Sequence, residues 1–430
     1  MNEYIECTKD LLTFIAESPS CFHAVENAKK MLEEQGFQEL SEGKQWKLEA
    51  GGDYFVTRNG SSIIAFRLPE GEAKGFHMVA SHSDSPSFKV KEHPEMPVEN
   101  QYIKLNTEKY GGMILSTWLD RALSVAGRIA VEDEETGELS VKLVNVDRDL
   151  LVIPNVAIHM NREVNKGMEY NPQTDMLPLF AQGEENQEKE LLLKAVAEAA
   201  GVKQENILGH DLFLYARDKG TVLGRNREFI LSPRLDDLQC VYASLKAFLQ
   251  SRPVEYVNLC AVFDNEEVGS GTKQGADSTF LEDVLFRIGE ALGYGKAKLL
   301  SMVAKSFLIS ADNAHAVHPN HPEKADPTNR PYLNGGIVIK YHGSQQYTTD
   351  GVSAAKMKSI CKKAGVPFQT YANRSDIMGG STLGNLSTAH VSVSSVDIGL
   401  PQLAMHSAVE TAGAKDTAYA VKAFAQFWQE

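Results

Sequence analysis

The sequence predicts an α/β protein of two or three domains, and three observations carry that reading. Its 430 residues exceed one ordinary domain, at roughly 150 residues each. From about residue 230 onward helix and strand patterns alternate, as they do when a sheet is covered by helices on both faces. Between about residues 90 and 230 β-like runs dominate instead, as in a strand-rich unit of its own.

Each element follows from its local pattern. Leu11, Leu12, Ile15 and Ala16, then Ala24, Val25, Ala28 and Met31, recur at helical spacing on either side of Ser18-Pro19, which predicts two helices or a kinked one. Tyr54-Phe55-Val56 and the run from Ser62 to Phe66 flank Arg58-Asn59-Gly60 and read as a hairpin. The apolar run from Gly75 to Ala80 suits a buried strand and puts Ser81-His82-Ser83-Asp84-Ser85-Pro86 at its C-terminal end. In the strand-rich stretch, residues 139–146 and 150–153 read as strands, and the acidic segment 183–188 leads into a helix over 191–197. Beyond it, 237–248 and 353–364 read as helices, and 257–263, 307–311 and 337–341 as strands. In open α/β sheets, binding residues gather at the C-terminal ends of such strands.

Composition narrows the function classes. Hydrophobic residues at 43% and charged residues at 23% set aside disorder and collagen-like or disulfide-dense chains. The 43 basic and 57 acidic side chains leave a net charge of −14 and form no basic cluster, so nucleic acid is not an expected partner. The start, Met1-Asn2-Glu3-Tyr4-Ile5-Glu6, has no signal-peptide pattern, and no apolar run approaches the roughly 20 residues of a membrane span. A soluble cytoplasmic protein is expected, with five scattered cysteines as reduced thiols.

Carboxylates and imidazoles recur just after apolar strand-like runs: His82 with Asp84, Asp264 with Glu266 and Glu267, Asp312, and His406. Asp236-Asp237 follows Phe229-Ile230-Leu231 and precedes a helix. Several carboxylates at the edge of a core repel one another and lose hydration unless cations compensate. A metal pair is the economical account, because imidazole nitrogens and carboxylate oxygens bind zinc-type ions and one carboxylate can bridge two of them. Residues two apart in a strand point to the same side, so Asp84 can orient the His82 ring. Of Glu266 and Glu267, one can bind metal while its neighbour handles protons.

Taken singly, each feature has an ordinary explanation. His-x-Asp is most often structural, Glu-Glu a solvated helix face, and Asp-Asp before a helix an N-cap. Their joint recurrence makes a metal site as good an account as these ordinary ones. An aminopeptidase, a dinuclear carboxypeptidase, a deacylase, a noncatalytic peptide or metal binder and a structural assembly protein all remain open on these residues alone.

A family resemblance adds to this reading. Beside Ser81 to Pro86, the chain carries Tyr110-Gly111-Gly112, Trp118-Leu119-Asp120-Arg121, Ala126-Gly127-Arg128, Ile153-Pro154-Asn155 and Ile158-His159. Further on come Ser232-Pro233-Arg234-Leu235-Asp236, the block from Phe263 to Ser270, that from Ser310 to Asn320, Ser375-Asp376, Gly380-Ser381-Thr382 and Ala404-Met405-His406-Ser407. Together these blocks resemble the aspartyl aminopeptidases, cocatalytic dinuclear zinc metallopeptidases, along nearly the whole chain.

The resemblance implies a discontinuous catalytic α/β sandwich domain of phosphorylase/peptidase type, residues 1–90 and 231–430, with an inserted strand-rich dimerisation domain, residues 91–230. It implies two Zn2+ per subunit, with Co2+ or Mn2+ as substitutes. His82 and Asp312 would hold one ion, Glu267 and His406 the other, and Asp236 would bridge them. Glu266 would be the general base and Asp84 the acid that holds the histidine ligand. His159, His318 and Lys340 resemble positions that line the substrate pocket or stabilise charge. The implied activity is hydrolysis of an N-terminal residue, Asp or Glu favoured, from peptides by a two-metal-activated water. The implied assembly is a homodimer and a dodecamer, with His159 reaching a neighbouring subunit's site. Gln345-Gln346-Tyr347 departs from the Gln-Arg-Tyr expected there, and losing that cation would weaken acidic selectivity.

Overall fold

The computed structural model describes residues 2–183, 190–377, 379–380 and 382–430. The acidic run that begins at Glu184 and Ser381 of the Gly380-Ser381-Thr382 block lie outside the described residues. The chain divides into two compact units: Met1–Asp84 with Gly220–Met405 and Glu410–Glu430, and Ser85–Lys219 with His406–Val409.

The first unit is built on a nine-stranded sheet. In chain order its strands are β1 (Gln38–Leu40), β2 (Asp53–Arg58), β3 (Ser62–Arg67), β4 (Phe76–His82), β5 (Val257–Phe263), β6 (Phe307–Ala311), β7 (Ile337–Tyr341), β8 (Phe368–Ala372) and β9 (Ser394–Gly399). Their spatial order is β1-β2-β3-β5-β4-β6-β9-β7-β8. The central four, β5, β4, β6 and β9, run parallel. β7 returns antiparallel to β9 and pairs in parallel with β8.

The central strands read as unbroken apolar runs because both faces are buried. Alternate side chains go to opposite sides. Met78, Ala80, Leu259 and Ala261 join one core with the helices Phe280–Ala291, Lys296–Ala304 and Leu383–His390. Val79, Cys260 and Val262 join another with Asn2–Ala16, Cys21–Glu33, Leu235–Gln250, Gly351–Ala364 and Asp416–Phe427. Each fully buried Phe or Leu in these cores stabilises the unit by about 1.5–3 kcal/mol relative to exposure. Local signals close the elements: Asp350 and Ser353 form a capping box at the start of Gly351–Ala364, and Gly365 ends that helix in the left-handed conformation.

A smaller five-stranded sheet in the same unit joins Phe229–Ser232 to Glu410–Gly413, with Ser232 opposite Glu410. This pairing sets where the chain enters the helix that begins at Leu235.

The second unit holds a six-stranded antiparallel sheet, ordered Leu139–Asn145, Leu123–Glu132, Ile207–Ala216, Ser87–Val98, Tyr102–Tyr110 and Leu179–Gln182. Residues 150–153 form isolated bridges from Leu151 to Leu123 and from Val152 to Leu179 rather than the strand their apolar pattern predicts. Gly127 is required in this sheet, since a Cβ there would lie 1.9 Å from the Asp211 carbonyl oxygen.

Candidate metal centre

The parallel centre of the first unit brings together C-terminal strand ends that are far apart in sequence. His82 closes β4, opposite Phe263 at the end of β5, and Asp312 directly follows β6 on the other side. The His82 side chain is 1% exposed. Its Nε2 lies 3.6 Å from Asp236 Oδ1 and 3.8 Å from Asp312 Oδ1. Its Nδ1 lies 3.3 Å from Asp84 Oδ1.

Asp84 does more than hold the ring. Its Oδ1 accepts the Glu266 N–H at 3.1 Å and its Oδ2 accepts the Glu267 N–H at 3.2 Å. Asp84 thus fixes the histidine, with its backbone carbonyl 3.1 Å from Nδ1 beside the carboxylate, and its carboxylate fixes the backbone of the Glu-Glu pair. The turn after β5 makes this possible. Asn265 adopts φ 62°, a left-handed conformation that Asn tolerates, and Asp264 Oδ1 accepts its N–H at 2.7 Å. The chain then coils through Glu266–Val268 and ends at Gly269, φ 94°.

Asp236 and Asp237 enter from the start of Leu235–Gln250, where both have non-helical backbone angles and are joined by a cis peptide bond. The Asp236 N–H donates to Glu410 Oε2 at 3.0 Å. Asp237, fully buried, accepts the His82 N–H on Oδ2 at 3.2 Å. Behind them Asn313 Nδ2 donates to the Leu235 carbonyl at 2.9 Å and to Gln402 Oε1 at 3.1 Å. Glu410 and Asn313 were not among the site residues expected from sequence, and Asp237 was noted beside Asp236 without being given a role. A charged residue opposite Ser232 in a short buried strand was the only local sign of Glu410.

Lys340 is 3% exposed, with Nζ 3.3 Å from Asp312 Oδ2 and 5.4 Å from the Tyr347 ring centroid. It therefore engages a site carboxylate from behind. Asp397 beside it accepts from Thr348 N at 2.6 Å and Thr382 Oγ1 at 2.5 Å.

The electrostatics follow from this crowding. Burial pushes Glu266 up to about 8; His82 opposes the rise, while Asp312, Asp84 and Asp236 add to it. Burial likewise holds Glu267 and Asp237 well above the usual carboxylate range, with Asp236 among the neighbours that reinforce it. For His82, burial alone would lower the pKa, but Asp236, Asp312 and Asp84 raise it well above the ordinary imidazole value. Protein groups alone leave the cluster short of positive charge. Its donor set fits divalent cations: His82, Asp236, Asp237 and Asp312 offer atoms within 4.8 Å of one another, as do His82, Glu266 and Glu267. Imidazole and carboxylate together suit zinc-type ions.

Three further residues were expected from sequence. His406 belongs to the second unit, where its Nδ1 is bonded to the Gly112 carbonyl oxygen, so that Nε2 is the nitrogen it would offer a metal. Its carbonyl accepts the Ile114 N–H at 3.0 Å. His159 is exposed on a long loop of the second unit. His318 is exposed in the first unit and lines a cavity of about 280 Å³ with His315, Lys324, Tyr371 and Arg374.

Comparison with known proteins places the chain in a wider group. Residues 14–428 match the family described as aminopeptidase I zinc metalloprotease (M18). A "Probable M18 family aminopeptidase 2" of Clostridium acetobutylicum is 49% identical over 431 residues, covering 100% of each chain. The solved Ape4 and Nbr1 complex contains a chain 37% identical, with TM-score 0.96, covering 99% of this chain and 86% of that one. The S. cerevisiae mApe1 dodecamer matches at 27% identity and TM-score 0.88, covering 99% of this chain and 97% of that one.

Proposed function

The chain belongs to the M18 family of zinc metalloproteases, and from that premise we propose how this aminopeptidase works on its substrates. His82 and Asp312 would hold one ion and Glu267 and His406 the other, with Asp236 shared between them. His406 follows Met405 directly, where the chain leaves the first unit. The observation that carries the reading is the set of buried carboxylates gathered around His82 at neighbouring strand ends. When bound, divalent ions would acidify a water and polarise the scissile carbonyl.

The protein's own groups do the rest. Glu266 takes the water's proton and returns it to the departing amine, a general base turned general acid. Its backbone N–H, held by Asp84, keeps the carboxylate aimed into the site. His82 is held at Nδ1 by Asp84, which leaves Nε2 to face Asp236 and Asp312. Lys340 balances the charge of Asp312.

Substrates are peptides with a free N-terminus, acidic first residues favoured. Lys340, which is paired with Asp312, is the cation that supports this preference, and Gln346 is the position that weakens it. The active protein is an oligomer in which His159 serves a neighbouring copy's site; the related mApe1 is a dodecamer. A cytoplasmic location agrees with the buried thiols Cys240, Cys260 and Cys361, and among the described residues no helix is long and apolar enough to cross a membrane.

The test compares wild type with Glu266→Gln on aminoacyl chromogenic substrates carrying Asp, Glu, Leu or Lys, before and after zinc reloading. Turnover should vanish in the variant while zinc stays near two per chain. Retained turnover would remove Glu266 from its role, and equal rates on Leu and Glu would remove the acidic preference.

A further inference from the structure

The second unit carries an arm whose outgoing half, residues 154–160, its own core does not hold. From Pro154 to Asp175 no side chain is buried, although Val156, Ile158 and Met160 are 51%, 48% and 78% exposed. His159 sits among them. Farther along, Tyr170 packs against the core and Gln173 meets Lys91 and Asn106, but the exposed stretch that carries His159 takes its direction from hydrogen bonds where it leaves Ile153.

Those bonds converge on one residue. Leu119 and Ile153 form a parallel bridge, and the Asp120 N–H donates to the Ile153 carbonyl at 2.9 Å. Asp120 then turns through φ 56°, a left-handed conformation open to Asp, which swings its carboxylate onto Asn155. Oδ1 accepts the Asn155 N–H at 2.9 Å and Oδ2 accepts Asn155 Nδ2 at 2.7 Å. The two hydrogen-bond legs grip one residue by backbone and side chain, so both the position and the rotation of the chain leaving Asn155 are fixed.

We propose that Asp120 is a positioning residue for the reaction: its clasp on Asn155 aims the arm so that His159 reaches a neighbouring copy's site. The proposal rests on the reading in which His159 acts across subunits. The two Asn155 donors also pull the Asp120 carboxyl below its ordinary range, backbone first, as expected where the ionised form makes the clasp. Nothing in the metal cluster depends on these residues, so their loss should leave ion binding alone.

The test is a double-mutant cycle on the zinc-loaded full chain with Asp120→Ala, Asn155→Ala, His159→Ala and Asp120→Ala/His159→Ala. A misplacement of about 1 Å at a reacting group can cost about 100-fold, so Asp120→Ala should lose about 10- to 100-fold in kcat with little change in KM. Zinc content, Tm and mass by light scattering should match wild type. Asn155→Ala, which removes only the side-chain leg, should lose less, and it carries the test if Asp120→Ala fails to fold. The double variant should be no slower than His159→Ala, because both act through one imidazole. An impaired His159→Ala beside fully active Asp120→Ala and Asn155→Ala would overturn the clasp. So would multiplicative losses in the double variant, or loss of assembly in Asp120→Ala. A fully active His159→Ala would instead overturn the cross-subunit reading, and the clasp with it.

Discussion

Replacing Asp84 with Asn should cripple the enzyme without unfolding it. The carboxylate now accepts two backbone N–H groups, from Glu266 and Glu267, and faces His82 Nδ1. Asn keeps a single acceptor oxygen and turns an NH2 group toward an N–H that has nowhere else to donate. One charge-assisted hydrogen bond is lost, about 1.5–3 kcal/mol. At 1.36 kcal/mol per decade of rate, that is about a 10- to 150-fold fall in kcat/KM. The effect on the ligand should run in the same direction but stay toward the lower end of the about 10- to 100-fold loss typical of removing a histidine's partner, since the backbone carbonyl of residue 84 still faces Nδ1. The assay is kcat/KM at saturating zinc, with zinc titration and circular dichroism on the same samples. An Asp84→Asn variant within threefold of wild type in both rate and zinc affinity, and natively folded, would refute the claim that this one carboxylate organises the ligand and the glutamates.

Two further outcomes follow from the packing. His77 is stacked on Tyr256 at 3.9 Å, and burial, helped by Lys356, lowers its pKa to about 3. The unfolded chain binds that proton near pH 6.5 and the folded one does not, so stability falls as pH drops from about 6.5 toward 3. His77→Phe keeps the stacking and removes the titration. Between pH 7 and 4.5 wild type should lose about 2–3 kcal/mol more than the variant, read as about 2–3 °C in Tm for a chain of this size. Identical pH slopes would reject the assignment. Gly127→Ala would drive a Cβ into the Asp211 carbonyl across a strand pair that also carries the Arg128–Asp211 ion pair. Overpacking of this kind costs about 1–3 kcal/mol, so its Tm should fall, and an unchanged Tm would show that the ladder relaxes freely.

Much of this was legible along the chain. The runs that became β4, β5, β6 and β7 were visible because strands buried on both faces are continuously apolar. The candidate ligands His82, Glu267 and Asp312 were visible because polar residues interrupt the chain where those strands end. The short run 150–153 misled, since its apolar pattern carries no information about partners, and it makes only isolated bridges. Helix Leu235–Gln250 begins two residues before the predicted 237 because Asp236 and Asp237 belong to an irregular first turn whose backbone angles serve the site.

The sequence by itself determined the types of group available and the strand ends at which they appear, because burial periodicity is a local property of the chain. Only the tertiary structure decided which ends are neighbours: β4 lies between β5 and β6, an order that no local pattern encodes. It likewise decided that Lys340 backs Asp312, that Asp84 grips Glu266 and Glu267 from 182 and 183 positions away, and that Glu410 holds Asp236. These are contacts across long loops, where the energy is gained only after the sheet has closed around them.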